Sequence, residues 1–155
     1  MMKFTGVFTF NADQQTVWEI LMDTKAIAQA LPGVEELIPV ADEPDTWRAD
    51  AKLGIAAISG TYSGRIRMSE QQPPDKYRLT VSGEGQQSII NGTTLIHLRY
   101  DEEQKKTILT WEAEASVSGK LASIGQRVIS PAVKMMSGQF FKALDKQIPS
   151  EKRTS

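Results

Sequence analysis

Side chains able to do acid–base, nucleophilic or metal chemistry are few in this sequence, and none of them cluster. It has one histidine, His97, and no cysteine. That composition excludes multi-histidine and thiolate metal sites, thiol catalysis and disulfides. His97 lies in an alternating segment on the row of Leu95 and Arg99, opposite Ile96 and Leu98, and so reads as a surface residue. Glu112 with Glu114, Arg65 with Arg67, and Asp50 with Lys52 each share a strand face. General acid–base work needs a carboxylate in a cleft with a shifted pKa. These charged pairs alternate with apolar residues, which places them on a solvated outer face. Gly119-Lys120-Leu121-Ala122-Ser123-Ile124-Gly125 lacks both the glycine density of a dinucleotide fingerprint and the Gly-Lys-Ser/Thr ending of a phosphate loop. No catalytic residue, metal or cofactor is expected.

What remains is binding chemistry. Trp47, Tyr62, Tyr77, Tyr100 and Trp111 fall on the inward rows of their segments, among the small residues Ala49, Ala51, Gly64, Ala113 and Ala115. Two readings stay open: a loosely packed core, or an apolar cavity, which for a small-molecule site would measure roughly 300–1,000 Å³. A buried tyrosine hydroxyl or the Gln139 amide could orient a polar headgroup there.

The elements that must position these residues follow from periodicity. Lys3 to Phe10 alternates as a strand. Asp13 caps a helix carrying Val17, Trp18, Leu21 and Met22, and Asp23-Thr24 opens a second short helix that Pro32-Gly33 ends. The period then changes to two. Strands are expected over Val34–Val40 (an edge, because of Pro39), Trp47–Ile55, Tyr62–Met68 and Tyr77–Val81. Gly83-Glu84-Gly85 is expected to bend the chain and Asn91-Gly92 to form a hairpin turn. Ile96–Tyr100 and Leu109–Val117 complete the strands. Gly119 to Leu144 reads as one long helix with two apolar columns. Leu121, Ile124, Val128, Ala132, Met135 and Gln139 form one, and Gly125, Ile129, Val133, Met136, Phe140 and Leu144 the other. Gly119 would free the turn into the helix, Gly125 would allow close approach to the sheet, and Pro131 would bend the helix.

This order gives an α+β helix-grip fold: a curved antiparallel sheet of about seven strands, two short helices, and a long C-terminal helix across the concave face. One domain is expected over 1–148, with a flexible tail over 149–155. The expected cavity lining is Trp47, Ala51, Leu53, Tyr62, Ile66, Tyr77, Leu79, Ile96, Leu98, Trp111, Ala113 and Ala115 from the sheet. The helix is expected to add Ile124, Val128, Met135 and Gln139.

Eighteen basic and nineteen acidic residues leave a net charge of −1, with no basic run carrying interleaved aromatics, so nucleic acid is not an expected partner. No apolar run approaches the roughly 20 residues of a membrane span, and no apolar leader follows Met1, which gives a cytoplasmic expectation.

Val17-Trp18-Glu19-Ile20-Leu21-Met22-Asp23, Leu31-Pro32-Gly33-Val34-Glu35, Gly60-Thr61-Tyr62-Ser63-Gly64 and Ser118-Gly119-Lys120-Leu121-Ala122-Ser123-Ile124-Gly125 carry a resemblance spanning nearly the whole chain. The sequence resembles the START-like helix-grip (SRPBCC) superfamily, and within it the family of the small G subunit of aerobic carbon monoxide dehydrogenase. The resemblance implies a non-enzymatic accessory or carrier protein binding a hydrophobic small molecule, a quinone or lipid. The implied partner is a molybdenum-hydroxylase-type dehydrogenase, which such a protein would serve or recruit to the membrane. Some members carry a C-terminal extension ending in a membrane-associating segment. This sequence stops shortly after its helix, so at most a peripheral contact at the inner membrane face is expected. An interaction module with a filled core, or a cyclase- or hydrolase-type enzyme using the same cavity, are the alternatives.

Overall fold

The computed structural model describes residues 1–54 and 58–154. Strand β1 (Met2–Phe10) leads into helices α1 (Gln14–Leu21) and α2 (Thr24–Ala30). Strands β2 (Ile38–Pro39), β3 (Thr46–Leu53), β4 (Gly60–Gln72), β5 (Lys76–Gly85), β6 (Ser88–Asp101) and β7 (Lys106–Gly119) follow, then helices α3 (Lys120–Ile124) and α4 (Gln126–Lys146). The strands form one antiparallel sheet in the order β1-β7-β6-β5-β4-β3-β2. Every neighbouring pair except β1–β7 is a sequential one, so the sheet is a meander that the N-terminal strand joins at its far edge.

The local signals explain most of these boundaries. The Asp13 carboxylate accepts from the Thr16 N–H at 2.7 Å, and Asp23 accepts from the N–H groups of Lys25 and Ala26 at 3.0 and 3.2 Å. Each satisfies donors that a helix start leaves unpaired. The two caps hold Val17, Trp18, Leu21 and Ile27 against one end of the sheet, where all are buried.

Four expectations are corrected. Only Ile38–Pro39 of Val34–Val40 pairs as a strand, against Arg48 and Trp47, while Val34 makes a lone bridge to Ala51. Pro39 has no N–H to extend the ladder. Asn91-Gly92 lies inside β6, paired with Ser82 and Val81, and the turn falls at Gln86-Gln87, both left-handed at φ 52° and 58°. That is the conformation a two-residue hairpin requires, here adopted without its usual residues. The long helix is broken: Gly125 sits at φ 87°, ψ 158°, separating a five-residue α3 from α4. A Cβ on Gly125 would meet nothing within 4 Å, so this glycine serves the break and not a close approach. The segment expected as a flexible tail is docked at Arg153 and Thr154. Ala12 bridges Arg153, the Thr154 N–H donates to the Asn11 carbonyl at 2.9 Å, and Arg153 pairs with Asp145 at 3.1 Å. In the expected strand Trp47–Ile55, β3 runs to Leu53, and Ile55 lies outside the described residues.

The break in the helix makes a prediction. Ile129 is buried and Val128, the adjacent residue, is 49 % exposed. Ile129→Asp should destabilise the protein by several kcal/mol, because a buried charge without a partner is costly, while Val128→Asp should change stability by less than about 1 kcal/mol. Thermal melting of both variants checks this, and equal losses would place the helix in the wrong rotation.

Candidate ligand cavity

The inner face of the sheet loses side-chain volume from one end to the other. In antiparallel register, inward residues of adjacent strands stand in rows across the sheet. At the end nearest α1, the row Tyr77, Ile96, Trp111, Gly6 is densely filled. The Trp111 indole lies over Gly6, where a Cβ would come within 2.4 Å of it. Tyr77 also meets Trp18 edge-on, with centroids 5.5 Å apart. Two residues along, the row is Leu79, Thr94, Ala113, Phe4; the next is Trp47, Ile66, Val81, Gly92, Ala115, Met2. The row after that is Ala49, Gly64, Gly83, Ile90, Val117. Gly64 faces Gly83 across the β4–β5 pair, and a Cβ on Gly64 would lie 2.6 Å from the Ser82 carbonyl oxygen. The floor is bare at this point, and at Gly64 the neighbouring backbone is too close to admit a side chain.

A cavity of about 340 Å³ opens over that floor. Leu31, Val34, Ile58 and Tyr62 wall it, and Leu121 from α3 with Ile129, Val133 and Met136 from α4 roof it. Its walls are almost wholly apolar. Tyr62 brings a hydroxyl, which donates to the Ile58 carbonyl at 2.9 Å, and burial raises its pKa above the usual 10.0. Ser63 and Arg65 reach the lining from positions that alternate outward, and the Arg65 guanidinium pairs with Glu43 at 2.8 Å. No aspartate, glutamate, histidine or lysine lines the cavity among the described residues. A hollow of about 470 Å³ between Arg48, Asp50, Arg65 and Glu84 lies on the outer face, but it is an open polar groove between solvated side chains.

Of the residues expected at a cavity, Ala51, Leu53, Tyr62, Ile66 and Ala115 line it. Tyr77, Ile96, Leu98 and Trp111 belong instead to the packed core, and Trp47, Leu79 and Ala113 lean on that core. Ile124 is half-buried and outside the cavity, while Val128, Met135 and Gln139 face solvent. The cause is Gly125. Counting turns from Leu121 through Ile124 to Val128 assumes one continuous helix, and the break resets the phase so that the neighbouring column faces inward. Ile129, Val133 and Met136 carried the signal in that second column. Leu31, Val34 and Ile58 come from connecting segments, where periodicity has no purchase. His97, Glu112 and Glu114 are exposed on the outer face, away from the cavity.

The sequence matches the family model of CoxG, the G subunit of carbon monoxide dehydrogenase, over residues 6–149. The chain belongs to the CoxG family. A conserved protein from Geobacillus kaustophilus superposes on this CoxG-family chain with a TM-score of 0.89 and 32% identity, covering 95% of both chains. A START superfamily protein from Mycobacterium smegmatis matches at TM-score 0.74 with 12% identity, over 96% of this chain and 97% of that one. StfQ, a di-domain ARO/CYC from the steffimycin biosynthetic pathway, matches at TM-score 0.67 and 9% identity, over 95% of this chain and 50% of its own. The last two likenesses show the START-like fold alone. Among curated protein sequences none matches this one.

Burial of the two tyrosines has a consequence at high pH. Tyr77, deep in the core, has its pKa raised by desolvation well above the usual 10.0, and Tyr62 shifts the same way. A phenol whose folded pKa is raised contributes stability that is complete below the unfolded pKa and is lost as pH climbs toward the folded one. Stability should therefore fall above about pH 10, and Tyr77→Phe should flatten that alkaline limb. Denaturant melts at a series of pH values check it; an unchanged limb in Tyr77→Phe would remove Tyr77 as its source.

Proposed function

We propose that this protein is a non-enzymatic carrier or accessory protein that holds a neutral hydrophobic small molecule between the bare end of its sheet and helix α4. The observation that carries this reading is the cavity itself: about 340 Å³, walled mostly by apolar side chains and, among the described residues, without aspartate, glutamate, histidine or lysine. Its size is at the lower end of small-molecule sites. It suits a compact uncharged group, such as a quinone ring or one end of an isoprenoid or lipid, better than a charged head. A carboxylate would lose its hydration there and find only Arg65, which is already paired with Glu43, in exchange. Membership of the CoxG family supports an accessory role beside a dehydrogenase of the carbon monoxide dehydrogenase type. No helix among the described residues is long and apolar enough to cross a membrane. We place the protein in the cytoplasm, reaching the inner membrane face only peripherally.

Catalysis is the weaker reading. The likeness to StfQ, an ARO/CYC protein, extends to fold alone. General acid–base catalysis needs a titratable group within hydrogen-bond reach of the reacting atom. Among the described residues Tyr62 brings the hydroxyl to this space, and burial moves its pKa away from neutrality.

Native mass spectrometry of protein purified from its own host, followed by organic extraction, tests the proposal. A stoichiometric lipophile is expected, and Ala51→Trp or Ala115→Trp should abolish its retention and the uptake of an added short-chain quinone while the protein still melts cooperatively. Ala113→Trp, which alters the core side, should instead cost stability. A clean apoprotein that takes up neither quinones nor fatty acids would remove the carrier reading in favour of an interaction module.

A further inference from the structure

Helix α3 is a separate piece of the cavity roof, and few bonds hold it there. It is five residues long and stands between Gly119 at φ 83° and Gly125 at φ 87°. Both angles lie in the left-handed region, which glycine enters and leaves at little cost and other residues do not. Within α3 Leu121 is the buried residue, at 5 % exposure, and it lines the cavity. Lys120, Ala122 and Ser123 face solvent. Among the described residues two hydrogen bonds tie the segment to the sheet. The Lys120 N–H donates to the Gln87 carbonyl at 3.1 Å, and the Leu121 N–H to the Ser88 hydroxyl at 2.8 Å. Ser88 is itself buried, and its hydroxyl is fixed in direction by donating to the Gln86 carbonyl at 3.2 Å. Helix α4, by contrast, is pinned to β1 through Phe141.

We infer that α3 is a hinged gate on the cavity, with Leu121 as its plug and the Ser88 hydroxyl as its latch. The inference rests on the carrier reading of that cavity. Rotation about Gly119 and Gly125 lifts Leu121 out of the roof while the sheet and α4 keep their places. What is lost is the burial of one leucine side chain and two hydrogen bonds, whose N–H donors water takes up once they are exposed. Opening the roof by moving α4 would instead break its aromatic contacts with Phe8 and Phe10. Lifting Leu121 opens the cavity at Ser88, the hairpin end of the floor. The Gln86-Gln87 turn defines the closed position, because both tethers of α3 end on it or on the residue beside it. Gly125 supplies the second hinge without being wedged: a Cβ there would meet nothing within 4 Å.

Two readouts test the gate, one of them independent of any ligand. In amide hydrogen exchange of the full chain, the Leu121 N–H should exchange by local opening, more than about tenfold faster than the Leu109 N–H of the core. Ser88→Ala should speed it by about a further tenfold, since the closed gate then holds an unpaired donor. In stopped-flow mixing with a short-chain quinone, read by tryptophan quenching, Ser88→Ala should speed association and dissociation by a similar factor. The sequence has no cysteine, so Gln87→Cys/Lys120→Cys places a single disulfide across the closed gate. Oxidised, this variant should slow both Leu121 exchange and quinone exchange by more than about tenfold, and reduction should restore them. If Ser88→Ala does not fold, the disulfide alone decides. A protein that binds the quinone at rates indifferent to the latch and to the disulfide would overturn the gate and leave the carrier reading intact. Leu121 exchanging as slowly as Leu109 would overturn it too. Failure to take up the quinone would count against the carrier reading, while fast Leu121 exchange that the disulfide slows would still support a moving α3.

Discussion

The grip of the helix depends on an aromatic contact made at one end only. Phe8 and Phe10 of β1 meet edge to face at 4.8 Å, and both meet Phe141 of α4, at 5.7 and 6.4 Å. Leu144, fully buried, and Ile148 extend the same cluster. Such pairs contribute roughly 0.5–1.5 kcal/mol each beyond the area they bury. The other end of α4 has no equivalent: Ile129 is its one buried residue there, and Gln126 donates to the Lys3 carbonyl at 2.9 Å. A helix fixed at its C-terminal end and held lightly at its N-terminal end leaves space beneath the lightly held part, which is where the cavity lies.

The sheet meets the helix with a matching asymmetry. Because the register is continuous from β3 to β7 apart from a shift between Ser69 and Gln72 of β4, a change of residue size in one strand is repeated in its neighbours, from the Tyr77–Ile96–Trp111 row to the Ala49–Gly64–Gly83 row. The small α3 is held separately. Its Leu121 N–H donates to the Ser88 hydroxyl at 2.8 Å, and the Lys120 N–H to the Gln87 carbonyl at 3.1 Å. Gly119 permits this at φ 83°, where a Cβ would fall 2.1 Å from the Gln87 carbonyl oxygen. The hairpin turn at Gln86-Gln87 therefore fixes the start of the roof as well as the end of the floor.

Much of this was legible in the residues, for stated reasons. The alternation in Trp47–Leu53 and Leu109–Val117 fixed which side chains face inward, and Asp13 and Asp23 marked both short helices. Ala51, Tyr62 and Ala115 were legible as cavity residues because they are inward positions in clear strands. Ile129 and Val133 were legible only as a second apolar column, since nothing in the sequence around Gly125 distinguishes a glycine inside a helix from one that interrupts it. The packed and hollow ends of the sheet were not separable, because periodicity says which face a residue takes and not what stands opposite it. That depends on register, and the Asn91-Gly92 pair points to a turn five residues away from the one at Gln86-Gln87 that sets it.

The strand order also bears on how the chain acquires its shape during synthesis. Strands β3 to β7 pair with sequence neighbours and can form as each hairpin is completed, whereas β1 waits for β7 and α4 is made after both. Contacts between distant parts of a chain form late because loop closure must precede them. The aromatic cluster joins the first strand to the last helix, so the concave apolar face stays uncovered until nearly all of the chain has emerged. Over that interval the growing chain presents a half-built apolar trough to its surroundings, the kind of exposed surface that makes folding intermediates prone to aggregation.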